Sequence, residues 1–459
     1  MTTLLWFRRD LRLEDNPALQ SALRSGGEVV PCYVHNEEDT YAWRPGAASS
    51  WYLEQSLRAL KAELSRHGLE LALIEGAPAA GLLQLAERVK ARRVAWNRIY
   101  EPEWQRLDKT VETALHASGV ATEAHHDHSL LEPDSVRNGS GSPYRVFTPF
   151  WKKIEPRLIQ SGQAPSSRQG ACEGANLASR ALTGSSPAPA KCVLTLPQPW
   201  HRKLHQYWEA GESMALKTQS ETLNGLEKYP EQRDLPAVDA TTRLSVALHF
   251  GEISPWRVIN GLHPAWSGEW GTTASTGAAA LARQLGWREF AIHLLSAFPG
   301  SPDHCMRPEF NAGDIWIGNE ALLEAWQSGK TGFALVDAGM RQLWETGWMH
   351  NRVRMVTASF LTKHLGQHWR SGARWFWDTL VDADLANNTL GWQWVAGCGC
   401  DAAPYYRIFN PERQAQRFDP DGAYARRWLG TGESPYPKII DMAQARDQAL
   451  ARYKQLPRG

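Results

Sequence analysis

The sequence predicts a two-part α/β and all-α protein, with a doubly wound parallel-sheet unit first and a helical unit after it. Three observations carry this. Short apolar runs alternate with amphipathic segments through the first 130 residues, the pattern of parallel strands covered by helices. From about residue 206 onward the candidate segments are helical, without a comparable set of alternating strands. Between the two, SGQAPSSRQGACEGANLASRALTGSSPAPA (161–190) is rich in Gly, Ser, Ala and Pro and reads as a long surface connection. The expected organisation is an α/β unit over 1–130, a linker over 131–205 and a helical unit over 206–459.

In the first unit, LLWF (4–7), VVPCYV (29–34), LELALI (69–74) and RVAWN (93–97) read as buried strands. Helices are expected between and after them, over roughly 17–25, 47–66, 78–91 and 103–118. Asn16 can cap the first of these, and Pro17 suits its first turn. No G-x-G-x-x-G follows the first strand, so the usual dinucleotide fingerprint is absent.

The 459-residue chain is 42% apolar and 22% charged, which fits a folded protein of two or three domains. Its net charge of +1 neither favours nor excludes nucleic acid. No apolar run reaches the ~18 residues of a membrane helix, and the acidic, weakly apolar start is not a signal peptide. Six scattered cysteines suggest reduced thiols and a cytoplasmic location. Cys398-Gly399-Cys400 is too sparse for a zinc site, so no metal is expected. The 22 tryptophans stand out, and point beyond packing to a ring-rich site or an electron path.

Three stretches carry candidate chemistry. WMHNRVRMVTASFLTKHL (348–365) reads as one helix, with Met349, Val353, Val356 and Phe360 as a buried stripe. Asn351, Arg354 and Met355 share another face of it, suited to a pocket wall. Thr241, Thr242 and Ser245 surround Arg243 at a helix start, an arrangement that can cradle an anion. Tyr229 and Arg233 lie four apart just upstream. Finally DADLANNTLGWQW (382–394) combines Asp382, Asp384, Asn387 and Asn388 with Trp392 and Trp394. Buried acids need partners, and Arg354 is the obvious one for Asp382. The amides and rings suit a flat heteroaromatic ligand better than an acid/base pair.

WFRRDLRLEDNPAL (6–19), TRLSVAL, WREF (287–290), GKTGFALVDAGMRQLWETGWMHNRVRMVTASFL (329–361) and DADLANNTLGWQWVAGCGCDAAPYYRIFNP (382–411) together resemble the DNA photolyase/cryptochrome family. The resemblance runs from residue 2 to about 430 and is closest to bacterial class I enzymes for cyclobutane pyrimidine dimers. It implies an antenna domain, a helical FAD-binding domain, and repair in which light-excited reduced FAD gives an electron to a dimer flipped from DNA. The implied partner is damaged DNA, engaged by a monomer away from any membrane.

Residue by residue, the resemblance implies that Tyr229 and the run Thr241, Thr242, Arg243, Leu244 and Ser245 hold the FAD phosphates and ribose. It places Asp382, Ala383 and Asp384 at the flavin and adenine, Arg354 on Asp382, and Asn388 beside flavin N5. Trp392, Trp369 and Trp316 match a photoreduction relay running outward. Trp287 and Trp394 match the rings that sandwich the dimer, with Arg233, Gln284, Asn351, Arg352 and Met355 around it. Arg413 and Gln414 are expected at DNA phosphate.

Gln284 stands where typical relatives carry Glu; its amide can donate a hydrogen bond but cannot supply a proton. Asn351 and Met355 replace the two histidines of (6-4) photolyases, which favours cyclobutane dimers as substrate. Glu103-Trp104 replaces the Asn-Glu pair that contacts folate in some relatives, so a folate, a deazaflavin or an empty antenna site are all open. A cryptochrome-like photoreceptor is the competing reading.

Overall fold

The computed structural model describes residues 1–36, 41–162, 199–266, 276–311, 315–402 and 405–457. Five strands, β1 (Thr3–Phe7), β2 (Val29–His35), β3 (Ala72–Glu75), β4 (Arg93–Asn97) and β5 (Ala121–His125), form one sheet in the order β3-β2-β1-β4-β5. Every pairing is parallel. Helices α1 (Pro17–Arg24), α2 (Ala47–Arg66), α3 (Pro78–Val89) and α4 (Pro102–Ala117) lie between successive strands. This is a doubly wound arrangement. Alternation along β1 divides the core: Leu5 and Phe7 pack into one apolar cluster, Leu4 and Trp6 into another on the opposite face.

Local chemistry sets the boundaries. Asn16 accepts a hydrogen bond from the Leu19 N–H, and Pro17 opens α1, as the sequence predicts. Two expectations shift. The third strand occupies 72–75 rather than 69–74, because Leu69 and Leu71 are buried in the helix-side cluster before the chain joins the sheet. The strand β5 is an addition to the expected four, since ATEAH has no apolar run and is mostly half-exposed.

The helical part comprises α5 (Phe147–Gly162), α6 (Glu212–Asn224), α7 (Tyr229–Gln232), α8 (Leu244–Phe250), α9 (Pro255–Trp266), α10 (Thr276–Ala297), α11 (Glu320–Gln327), α12 (Ala334–Thr346), α13 (Asn351–Ser359), α14 (Trp369–Thr379), α15 (Leu385–Ala396), α16 (Pro411–Phe418), α17 (Ala423–Leu429) and α18 (Met442–Lys454). Here the span read as linker needs correcting. Within it, α5 drives Phe147, Phe150, Trp151, Ile154 and Leu158 into the core beside α9 and α10. Pro156 inside this helix masks its periodicity in the sequence. Residues 163–190 of the Gly/Ser/Pro-rich stretch lie outside the described residues.

The two parts are stitched by buried polar groups. Arg12 pairs with Asp127 at 2.5 Å and donates to the Gly251 carbonyl at the end of α8. Tyr52 donates to Glu252, and Asp378 accepts from the Ala47 N–H. A side chain at Gly251 (φ +66°) would place its Cβ 2.1 Å from the Arg9 carbonyl oxygen, so the close approach there requires glycine.

Candidate functional site

Helices α8, α10, α13 and α15 enclose a cavity of about 620 Å³, a size typical of cofactor sites. Tyr229, Arg233, Thr241, Thr242, Arg243, Leu244, Ser245, Gln284, Trp287, Asn351, Arg352, Arg354, Met355, Asp382, Ala383, Asp384, Asn388, Trp392 and Trp394 all line it. Sequence positions more than 160 residues apart thus converge on one space.

The stretch 348–365 is not one uniform helix. The His350 ring nitrogen accepts from the Arg352 N–H at 3.1 Å and starts α13 at Asn351. A π-helical turn then occupies Phe360–His364, a local insertion that hydrophobic periodicity does not reveal. The stripe Met349, Val353, Val356 and Phe360 is fully buried, while Asn351, Arg354 and Met355 face the cavity.

Arg354 grips both oxygens of Asp382 at 3.0 Å and donates through Nε to the Met349 carbonyl at 2.7 Å. Ser245 adds a hydroxyl donor to Asp382 at 2.8 Å. The expected anion cradle is therefore partly committed to protein contacts. Thr242 accepts from the Leu244 N–H, Ser245 is turned to Asp382, and Arg243 sits at φ 52° with its guanidinium over Trp348.

Asp384 does something different from Asp382. Its side chain caps α15, accepting from the backbone and side-chain nitrogens of Asn387 at 2.9 and 2.7 Å. Burial alone would raise its pKa, but the His249 contact and the nearby Arg288 guanidinium hold it well below the usual carboxylate range. Asp384 stays ionised, and His249, lowered chiefly by burial, shares the cavity wall with it.

Asn388 donates its side-chain N–H to the Ala373 carbonyl at 3.0 Å. A carbonyl only accepts, so the amide nitrogen must face it and Oδ1 is left as an acceptor at the cavity. Elsewhere on the lining Arg233 donates to Gln284 Oε1 at 3.0 Å, while Arg352 is ion-paired with Asp234 at 2.5 Å. Trp287 lies parallel to Phe147 at 3.7 Å, and Arg407 stands over Trp394.

Trp392 meets Phe376 edge-on at 5.0 Å, and α14 passes so closely that a Cβ at Gly372 would lie 2.1 Å from its ring. One turn away on α14 is Trp369, wholly buried. The His368 ring stands between Trp369 (5.9 Å) and half-buried Trp316 (4.9 Å). These two tryptophans lie behind the cavity rather than on its wall. Arg413 and Gln414 lie on α16, outside the cavity lining, with Arg413 exposed.

Sequence reasoning misses Asp234, His249, Phe147, Arg288 and Arg407. Asp234 is legible, since it follows Arg233 directly; Phe147 is hidden in the span read as linker. At the antenna positions, Glu103 pairs with Arg106, and Trp104 packs under the guanidiniums of Arg8 and Arg9. Among the described residues no cluster of metal-ligating side chains occurs and no helix is long and apolar enough to cross a membrane.

The helical unit beside a doubly wound sheet thus holds one large cavity lined by rings, amides and charged groups, and comparison with known proteins gives its class. Family models match residues 3–167 as DNA photolyase and residues 281–434 as the FAD binding domain of DNA photolyase. A deoxyribodipyrimidine photo-lyase of Agrobacterium fabrum is 38% identical over 98% of this chain and 97% of its own. Cryptochrome-2 of Arabidopsis thaliana is 32% identical over 93% of this chain and 70% of its own. The crystal structure of a bacterial class III photolyase from Agrobacterium tumefaciens superposes with TM-score 0.88 at 38% identity, covering 99% and 97% of the two chains. The chain belongs to the DNA photolyase/cryptochrome family and carries its FAD-binding domain.

Proposed function

We propose that the protein repairs cyclobutane pyrimidine dimers in DNA with light. The observation that carries this reading is the wall formed by Asn351 and Met355, whose amide and sulfur lie 3.9 Å apart beside the Gln284–Arg233 pair. No imidazole stands at the two α13 positions where the (6-4) branch would need a proton donor.

The residues present fit FAD. Arg354, Asp382, Ser245 and Thr241–Arg243 offer charged and hydroxyl groups at one part of the cavity, and Asn388 leaves an unused acceptor at another. When bound, FAD supplies light absorption and a transferable electron. The chain's own groups do the rest. Asn388 Oδ1 accepts from an N–H without adding charge, whereas a carboxylate there would oppose an anionic ring. Trp287, backed by Phe147, and Trp394, under Arg407, offer ring faces to an extruded pyrimidine dimer. Gln284 Nε2 donates to base carbonyls. Trp392, Trp369 and Trp316 form the outward path for resupply of electrons.

The competing reading is a cryptochrome-like photoreceptor, and Gln284 in place of an acid is the feature that favours it. Oligonucleotides carrying a single lesion of either type, illuminated with reduced holoprotein, separate the readings. Restoration of the cyclobutane dimer alone is expected. Restoration of the (6-4) lesion, or of neither, would reject the proposal.

A further inference from the structure

Helix α8 meets both acids of the 382–384 stretch with one face. Ser245 and His249 lie four residues apart on it, so their side chains stand one turn apart on the same side. Ser245 donates to Asp382. His249 stands against Asp384, with Nδ1 3.6 Å from Oδ2. The ring is buried and lies edge-on to Phe250 at 4.7 Å.

The two oxygens of Asp384 are unequally used. Both Asn387 donors end on Oδ1, and Oδ2 accepts no hydrogen bond among the described residues. Arg288 does not serve it, because its guanidinium donates to the carbonyls of His128 and Leu248. Among the described residues His249 alone pairs with this carboxylate.

The His249 nitrogens are unequal too. Nδ1 is enclosed and makes no hydrogen bond, and Nε2 is not enclosed. Since the ring lines the cavity, Nε2 is the nitrogen that faces it. A bare lone pair on Nδ1 would repel the carboxylate oxygen, whereas an N–H there is attracted to it. An imidazole is ordinarily neutral above pH ~6.5. Burial first, and then the Arg9 charge, lower this ring further despite Asp384. One proton on Nδ1 leaves Nε2 as a bare acceptor.

We propose that His249 is a further cofactor-binding residue, its Nε2 accepting a hydrogen bond from FAD in a tautomer that Asp384 imposes. The carboxylate acts through the ring: it holds the proton on one side and leaves an acceptor on the other. Asp384 thereby has two tasks. Oδ1 starts α15, and Oδ2 orients His249. The inference rests on the FAD-binding domain and is independent of which lesion is repaired.

Long-range ¹H–¹⁵N NMR of histidine-labelled holoprotein at pH 8, assigned with His249→Gln, reads the tautomer. Protonation of His249 on Nδ1 is expected, and protonation on Nε2 would overturn the proposal. In Asp384→Asn an amide N–H can face Nδ1, so the ring should shift towards the Nε2–H tautomer. An unshifted ring would refute the part assigned to Asp384.

Release of FAD on dilution, followed as rising flavin fluorescence, is the second readout. His249→Leu should release FAD about tenfold faster, as the loss of one hydrogen bond does. His249→Gln can place its side-chain oxygen where Nε2 lay, and should stay within about twofold of the unsubstituted protein. His249→Asn keeps only an amide towards Asp384, and should release FAD as fast as His249→Leu. Equal release from the glutamine and asparagine variants would mean that the ring merely fills space, and would overturn the proposal. Unchanged release from His249→Leu would overturn it as well.

Discussion

Arg233 Nη2 donates to Gln284 Oε1 at 3.0 Å, and that one bond decides which end of the amide faces the cavity. A guanidinium only donates, so the oxygen must turn to it and the NH₂ must turn inward. Gln284 is thereby a fixed donor. Gln284→Ala should weaken binding to dimer-containing DNA about tenfold, the loss of one hydrogen bond of ~1.5 kcal/mol, and leave undamaged DNA unaffected. Titration of both duplexes at one salt concentration checks it.

Arg352 reaches the same rim, but its charge is shared with Asp234 at 2.5 Å. Arg352→Ala should weaken binding to damaged DNA and reduce the slope of log affinity against log salt by about 1. Asp234→Asn should strengthen binding, because it frees that guanidinium for phosphate. Affinities measured across a salt series distinguish these opposite signs.

Asp382 is buried and has the Arg354 guanidinium as its ion-pair partner. Arg354→Ala should lower stability by about 3–5 kcal/mol by leaving the carboxylate unpaired, and purified protein should contain little FAD. Ser245→Ala removes only one donor and should cost about 1 kcal/mol. Flavin content and denaturant midpoints give both values.

Trp392→Phe should abolish photoreduction of the flavin yet leave repair by chemically reduced protein intact. Loss of both would remove Trp392 from the relay and assign it to the architecture of the cavity.

Burial lowers His350 and His364 to about 4, well under the ordinary histidine value of ~6.5. Folding therefore favours their neutral forms. Their contribution is complete above about pH 6.5 and declines as pH falls towards 4, by up to about 1.4 kcal/mol per pH unit for each ring. Urea midpoints should drop between pH 7 and pH 5, and the drop should be smaller in His364→Leu.

Much of the fold and of the site is legible in the amino-acid sequence. The strands β1, β2 and β4 announce themselves as apolar runs, and the α13 stripe follows from three- and four-residue steps. The Arg354–Asp382 pair follows from the requirement that a buried acid have a cation. What is hidden has physical reasons. The edge strand β5 buries too little to need apolar residues. The helix α5 carries Pro156 inside it. Asp382 and Asp384 look like a pair in sequence, but one binds Arg354 and the other caps α15, a division that depends on where the helix begins. The imidazole against Asp384 comes from a helix far upstream, beyond the reach of any local pattern.

The central claim is that reduced flavin in this cavity splits cyclobutane dimers under light. Its most direct measurement is the recovery of thymine absorbance in dimer-containing DNA mixed with photoreduced holoprotein, recorded in blue light and in darkness. Recovery in light only, at one or more dimers per protein, is the expected result. No recovery in light with the flavin fully reduced would contradict it.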